Sequence, residues 1–337
     1  MASDTMDYAY NKMKLVGAAL GRVNANNTHS GNLSMRDPEN NDIFYITASG
    51  SQIGALVPSD IVPIRFSEVS WGDTRGSTES NNHRKILSLP DSNAVVHGHS
   101  INTTSISFDT KEQQLFIKYL GTDDKGREEF LFHPVDLYGA YVVGGVRVGS
   151  YVQPVGSPEM EERLPKYLAE NRLTLVRGHG PFARGESLED GLYRLTTIEM
   201  SSTLILNLRR RGVDVVSLLS HIDEIGIEKF YGRKPEILNV PALTTREIDD
   251  PSVVGDFTER LNYNYNTMLS AYGTGSMSHR VTAKEMIYCP MSAVPEGMDF
   301  PLYRVSIEPA PDDTLDLQIH KLIYNNMNHN TCMITMN

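Results

Sequence analysis

Cysteine is nearly absent from this chain, whose 337 residues include only Cys289 and Cys332. Two thiols exclude a disulfide framework, and their spacing is not that of a thiolate zinc site, which fits a reducing compartment. Long apolar runs are missing too. No stretch approaches the roughly 20 apolar residues that span a bilayer, and the polar start Met1-Ala-Ser-Asp-Thr5 lacks the apolar core of a signal peptide. A cytoplasmic protein without a membrane partner is expected. Positive charge is also scarce: 31 Lys and Arg stand against 42 Asp and Glu, for a net charge of −11. Beyond Arg209-Arg210-Arg211 there is no basic run to neutralise phosphates, so nucleic acid is excluded as an expected partner.

What is present suffices for a large core. At 40% hydrophobic and 22% charged residues, the chain has material for one large domain or two ordinary ones. Met6, Tyr10, Met13, Val16, Leu20 and Val23 recur at helical spacing, which predicts an opening amphipathic helix over residues 5 to 23 with Asp4 as its N-cap. Strands are predicted at 42–47 and 61–66, then a helix over 79–89. Further on, a helix over 160–171 precedes a short buried strand at 173–176 and the turn Gly178-His179-Gly180. Ser187 with Asp190 matches a capping box, opening a long helix that ends at Arg209-Arg210-Arg211 and Gly212. Gly121 to Arg127 reads as an inserted hairpin or loop.

The stretch Asn93-Ala-Val-Val-His-Gly-His-Ser100 carries the sharpest chemical signal. Alternate residues on a strand share a face, so His97 and His99 could grip one metal ion. On spacing alone, surface or hydrogen-bonded histidines remain the other reading.

An internal repeat is also legible. Gly31-Asn-Leu-Ser-Met-Arg36 reappears as Gly275-Ser-Met-Ser-His-Arg280, Asp60–Glu68 resembles Asp299–Glu308, and His83-Arg-Lys-Ile-Leu87 resembles His320-Lys-Leu-Ile-Tyr324. Carried forward without gaps, His97 and His99 fall on Ile334 and Met336; a one-residue shift gives Thr335 and Asn337. The second copy therefore lacks the histidine pair and covers about a third of the unit. Its abrupt end is what a fragment of a longer tandem protein would show, and its hydrophobic ending, Cys332 to Met336, would form an edge strand that needs cover.

Taken in order, Gly31-Asn32-Leu-Ser34, Ile46-Thr-Ala-Ser49-Gly50, Gly76-Ser77-Thr78-Glu79 with His83, Val95-Val-His97-Gly-His99, and His179-Gly180 before a long helix resemble the class II aldolase and adducin family. The resemblance spans residues 8 to 215. It implies an α/β fold of three layers, α/β/α, whose central sheet is largely antiparallel. It also implies a homo-oligomer, usually a tetramer with sites at subunit boundaries. The chain divides on this reading into an aldolase-like catalytic domain over 1–240 and a degenerate, truncated second copy over 241–337.

The resemblance makes His179 the third ligand beside His97 and His99. Three neutral imidazoles leave a divalent ion an open coordination position; Zn2+ is the first candidate, and Fe2+, Mn2+ or Co2+ suit the same donors. On its own His179 reads as a turn residue. Arg177-Gly178 precede it where relatives carry asparagine or another histidine, so the groups orienting the ring are expected to differ. The resemblance gives Glu79 proton transfer next to the carbonyl of a bound hydroxyketone, although without it the residue reads rather as a solvated carboxylate at a helix start. His83 is placed to orient that carboxylate or to serve the fold. Asn32, Ser49, Gly50, Ser77 and Thr78 match the family's phosphate-binding positions, offering small hydroxyls, an amide and turn N–H groups. Tyr119 is the nearest match to a proton donor reaching in from a neighbouring subunit, with core packing as its ordinary role.

The implied activity is a metal-dependent lyase that cleaves or forms a small phosphorylated hydroxyketone by an aldol reaction through a metal-bound enediolate. The alternatives are a sugar-phosphate dehydratase, decarboxylase or 4-epimerase on the same scaffold, or a noncatalytic adducin-like scaffold. Epimerases of the family tend to carry aspartate at the Glu79 position, which tilts the expectation away from them.

Overall fold

Helix α1 (Ala2–Arg22) opens the chain, burying Ala9, Met13, Val16 and Leu20 along one stripe. It begins at Ala2, so Asp4 lies inside its first turn and does not cap it. The computed structural model describes residues 2–23, 25–27, 29–67, 75–215, 217–218, 276–290, 302–311, 313–328 and 331–334. The chain forms two compact units, 1–233 and 234–337. The boundary expected at 240/241 lies outside the described residues.

The first unit is built on a nine-stranded sheet in the order β3-β2-β1-β4-β9-β8-β7-β6-β5. Its strands are β1 (Asn32–Arg36), β2 (Ile43–Thr47), β3 (Ile61–Arg65), β4 (Ala94–His97), β5 (Ile117–Thr122), β6 (Glu128–Phe132), β7 (Val146–Gly149), β8 (Leu173–Val176) and β9 (Gly180–Gly185). Every pairing is antiparallel except β7 with β8. A parallel neighbour needs a crossover, and α5 (Pro158–Glu170) supplies it. The segment 121–127 comprises the last two residues of β5 and the 123–127 turn of the β5–β6 hairpin.

Helices cover both faces, giving a mixed α/β fold of three layers. Helix α2 (Ser80–Leu87) packs with α5 on one face, where Ile86, Leu87, Met160, Leu164 and Leu168 meet Phe44, Val95 and Phe182. Each such buried side chain contributes about 1.5–3 kcal/mol. Helix α3 (Ile101–Ile106), α4 (Leu137–Val142) and α1 gather around α6 (Leu188–Arg210) on the other face. Ser187 caps α6 by accepting from the Asp190 N–H, as its sequence signature predicts. Among the described residues no helix is long and apolar enough to cross a membrane.

The second unit holds a four-stranded antiparallel sheet, order β12-β11-β10-β13, and helix α7 (Leu315–Asn326). Its strands are β10 (Ser276–Arg280), β11 (Glu285–Cys289), β12 (Tyr303–Ser306) and β13 (Thr331–Ile334). The ladders repeat those of the first unit. Ser278 opposes Tyr288 as Ser34 opposes Ile46, and Ser276 opposes Ile334 as Asn32 opposes His97. Ile334 thus stands at the His97 position, where the ungapped repeat puts it; Met336, Gly275 and Asp299 lie outside the described residues. One stretch differs from the sequence match. Tyr288 opposes Tyr303 and Ile46 opposes Val62, so Arg304 occupies the place of Pro63, two residues from the Arg65 position that its sequence suggests.

Candidate functional site

Strand β4 ends at His97, fully buried and opposite Asn32 of β1 on one side and Phe182 of β9 on the other. The alternation that pairs His97 with His99 continues past the last ladder residue, through Gly98. His179 arrives from the β8–β9 turn, where Gly178 adopts a φ of +70°. That conformation disfavours any residue with a Cβ. Gly180 lets this turn close on β4: a Cβ there would lie 2.2 Å from the Gly98 carbonyl oxygen. Segments 80 or more residues apart in sequence therefore meet at the strand ends in the middle of the sheet.

The three imidazoles converge through their Nε2 atoms. His97 Nε2 lies 3.3 Å from His179 Nε2, which lies 3.0 Å from His99 Nε2. For an ion held tetrahedrally at about 2.1 Å, neighbouring nitrogens should stand about 3.4 Å apart. The set fits a divalent cation and could hold one. The Nδ1–H of His97 donates to the Pro181 carbonyl at 2.9 Å, which leaves a lone pair on Nε2 directed into the cluster. The same ring stacks on Phe182 with centroids 3.8 Å apart. Burial holds all three rings neutral, the form that ligates: His97 far below its usual range, His99 lowered, and His179 down to about 4.

Glu79 precedes α2 and is buried beside this cluster, its Oε2 3.5 Å from His97 Nε2. Burial pushes its carboxyl up to about 7, against the opposing pull of the Asn32 side chain and the Gly156 backbone N–H. A carboxyl poised there exchanges a proton readily near neutrality. The Asn32 amide donates to Glu79 Oε2 at 2.8 Å and to Ser77 Oγ at 3.0 Å. It is Asn32 that orients the carboxylate. The His83 side chain turns away to Ser34 Oγ, 2.6 Å from its Nδ1, and so takes the fold-serving role of its two readings.

The residues proposed for phosphate come together in part. Asn32 and Ser77 touch, and Ser49-Gly50 lie alongside 75–78 through the Ala48–Gly76 bridge, with Thr78 exposed. Two of the expected amide donors are already engaged, Ser49 N–H with the Arg75 carbonyl and Ser77 N–H with that of Thr47. Hydroxyls are what these positions offer a ligand, since both N–H groups of the Asn32 amide are taken by Ser77 and Glu79. Tyr119 is elsewhere. It sits on edge strand β5, packed on Phe130 with ring centroids 5.4 Å apart, four strands from β9.

Sequence reasoning missed three neighbours. The segment after β7 reaches the site, with Gly156 beside Glu79 and Pro154 beside His179. His29 lies against the Gly50 carbonyl, its Nδ1 3.3 Å away. Its signal was its place in the turn that leads into Asn32. The Gly156 and Pro154 contacts join distant segments and leave no mark in local spacing.

A family model described as the class II aldolase and adducin N-terminal domain matches residues 11–206. This chain belongs to the class II aldolase and adducin family. Among its relatives, a methylthioribulose-1-phosphate dehydratase of Leptospira biflexa is 22% identical over 183 residues, covering 50% of this chain and 82% of that protein. A 3-oxo-tetronate 4-phosphate decarboxylase of Escherichia coli is 26% identical over 185 residues, covering 55% and 79%. In structure, an L-fuculose-1-phosphate aldolase from Thermus thermophilus superposes with a TM-score of 0.51 at 26% identity, over 60% of this chain and 95% of that one. Aldolase, dehydratase and decarboxylase thus share the family with this chain, and all three names carry a phosphorylated substrate.

Proposed function

We propose that this chain is a metal-dependent lyase acting on a small phosphorylated hydroxyketone by aldol cleavage or formation. The observation that carries the reading is the convergence of His97, His99 and His179 at 3.0–3.3 Å, with Glu79 Oε2 3.5 Å from His97. A divalent cation held there, Zn2+ first and Fe2+, Mn2+ or Co2+ after it, would polarise the ketone and favour negative charge on its oxygen. Glu79 then moves the proton. In the cleavage direction the hydroxyl of the departing aldehyde carbon would give its proton to solvent water, the carbon–carbon bond would break, and its electron pair would pass into the ketone. Glu79 returns a proton to the carbon left behind; in synthesis it removes that proton. Asn32 keeps Oε2 aimed, and with Ser77 and the Ser49-Gly50 turn it lines the side where phosphate binds. In this reading Tyr119 serves as proton donor only in an assembly of several copies, because it is remote from the site of its own chain.

Dehydration or decarboxylation is the second reading, favoured by the names of the relatives in Leptospira biflexa and Escherichia coli. The same carbonyl polarisation precedes either bond cleavage. For residues 241–337 we propose a degenerate, truncated second copy without metal chemistry, supported by the matching ladders and by Ile334 at the His97 position. The test combines metal analysis with a screen of phosphorylated ketoses for cleavage or water loss. A wild-type protein that binds no divalent ion, or that accepts unphosphorylated ketoses equally well, would overturn the corresponding part.

A further inference from the structure

His179 stands on a short turn between β8 and β9, and that turn is tied to the segment carrying His99 by side chains that touch neither the other ligands nor Glu79. Arg177 forms most of the tie. Its Nε donates to the Ser107 carbonyl at 3.1 Å and its Nη2 to the Asp109 carbonyl at 2.9 Å. Its Nη1 donates to Glu128 at 2.8 Å, and the guanidinium lies 4.9 Å over the Phe130 ring. The neighbouring Gly178 N–H donates to Ser107 Oγ at 2.9 Å, and Thr104 Oγ1 reaches the His179 carbonyl at 3.3 Å.

The anchor itself is rigid. Ser107 and Asp109 follow α3, which follows His99 directly, and α3 is fixed to α6 through Glu199. That carboxylate accepts from the Asn102 and Thr103 N–H groups and from Thr103 Oγ1 at 2.7–3.1 Å. One guanidinium fork therefore couples the backbone that bears His99 to the backbone that bears His179. A planar fork with several donors can hold two carbonyls and a carboxylate at once, which an ammonium cannot.

We propose that Arg177 is a positioning residue for the metal: it sets the distance between His179 and His99. The inference rests on the metal reading of the triad. Groups that orient ligands from behind typically change metal affinity about 10–100-fold when removed.

The test uses the full chain, stripped of metal and titrated with Co2+ and Zn2+. Arg177→Lys keeps a positive charge beside Glu128 but loses the fork. Expected are an affinity about 10-fold or more below wild type and a shifted visible spectrum of the Co2+ form. Ser107→Ala removes the bond from Gly178 N–H together with the local bond from Ser107 Oγ to the Thr104 carbonyl, leaves the Arg177 fork in place, and should weaken binding by a smaller factor; it carries the test if Arg177→Lys fails to fold. Unchanged affinity and spectrum, with a lower melting temperature of the metal-free variant, would mark an ordinary structural contact and overturn the proposal. A wild type that takes up neither ion would instead sink the metal reading on which it stands.

Discussion

The β1–β4 region of the first unit and the β10–β13 region of the second use one set of scaffold contacts and differ where ligands would be. In the first, Ser34 Oγ meets His83 Nδ1 at 2.6 Å and Arg36 donates to the Leu87 carbonyl. In the second, Ser278 Oγ meets His320 Nδ1 at 2.7 Å and Arg280 donates to the Tyr324 carbonyl. Asn32, Glu79 and His97 are matched by Ser276, Asp316 and Ile334. The polar bookkeeping then diverges. Asn32 Oδ1, Glu79 Oε1 and His83 Nε2 are buried without a well-formed hydrogen bond, whereas Ser276 bonds His320 Nε2 at 2.8 Å and Asp316 accepts from Tyr288. Buried polar atoms without partners cost stability, and of these Asn32 Oδ1 and Glu79 Oε1 belong to side chains beside the histidine cluster, where a bound group would offset the cost. At these matched positions the second region pairs its polar side chains with one another, and shows what the first becomes without its ligands.

The largest expected effect breaks the contrast at its centre. His97→Ala should remove bound divalent metal and lower turnover by about 10³-fold or more, since the cation contributes several kcal/mol of charge stabilisation. Ile334→Ala, at the matching place, should leave metal content and turnover unchanged. Elemental analysis and steady-state kinetics on both variants decide this, and retention of full metal content by His97→Ala would defeat the triad assignment.

Glu79→Gln comes next. It keeps size and shape while removing the proton carrier, so metal content should hold and kcat fall by about 10²–10⁴-fold. Activity equal to wild type would exclude Glu79 as the acid-base group. This residue also shows how far sequence reaches. The strands β2, β3 and β8, the long α6 helix and its Ser187 cap were legible because they depend on local spacing. His97 and His99 were legible as a pair because alternation is local as well. His179 was not, since nothing in its neighbourhood points 80 residues back, and only the family resemblance joined it to them. Asn32 as the partner of Glu79, and Gly156 beside it, follow from the ladder and a distant loop. The repeat match at β12 slipped by two residues because such a slip leaves every side chain on its own face, where hydrophobic pattern cannot detect it.

A smaller effect sharpens the shared part of the comparison. Ser34→Ala and Ser278→Ala each leave a buried imidazole nitrogen unpaired, which costs about 1–3 kcal/mol. Each should lower the denaturant midpoint of its own unit by a similar amount. Ser34→Ala should spare metal binding, because His83 touches no proposed ligand. A loss confined to one unit would show that the two serine–histidine pairs are not equivalent.

The smallest expected effect concerns acid. Burial lowers His83 to about 3 and His320 to about 4, the latter against the opposing pull of Asp316. Both folded-state values lie below the unfolded one, near 6.5, so the unfolded chain binds the proton first. Each neutral ring's contribution is complete above pH 6.5 and is lost as pH falls towards about 3 for His83 and about 4 for His320. Between pH 7 and 5.5 each should cost about 1 kcal/mol of stability. His320→Gln should flatten the acid slope of the second unit by that amount, read from denaturant titrations at the two pH values. The first unit should remain the steeper of the two, because His97, His99 and His179 are also held neutral and must all take protons on unfolding. Equal slopes in metal-free protein would mean that those three rings are open to solvent, and not converged as neutral donors.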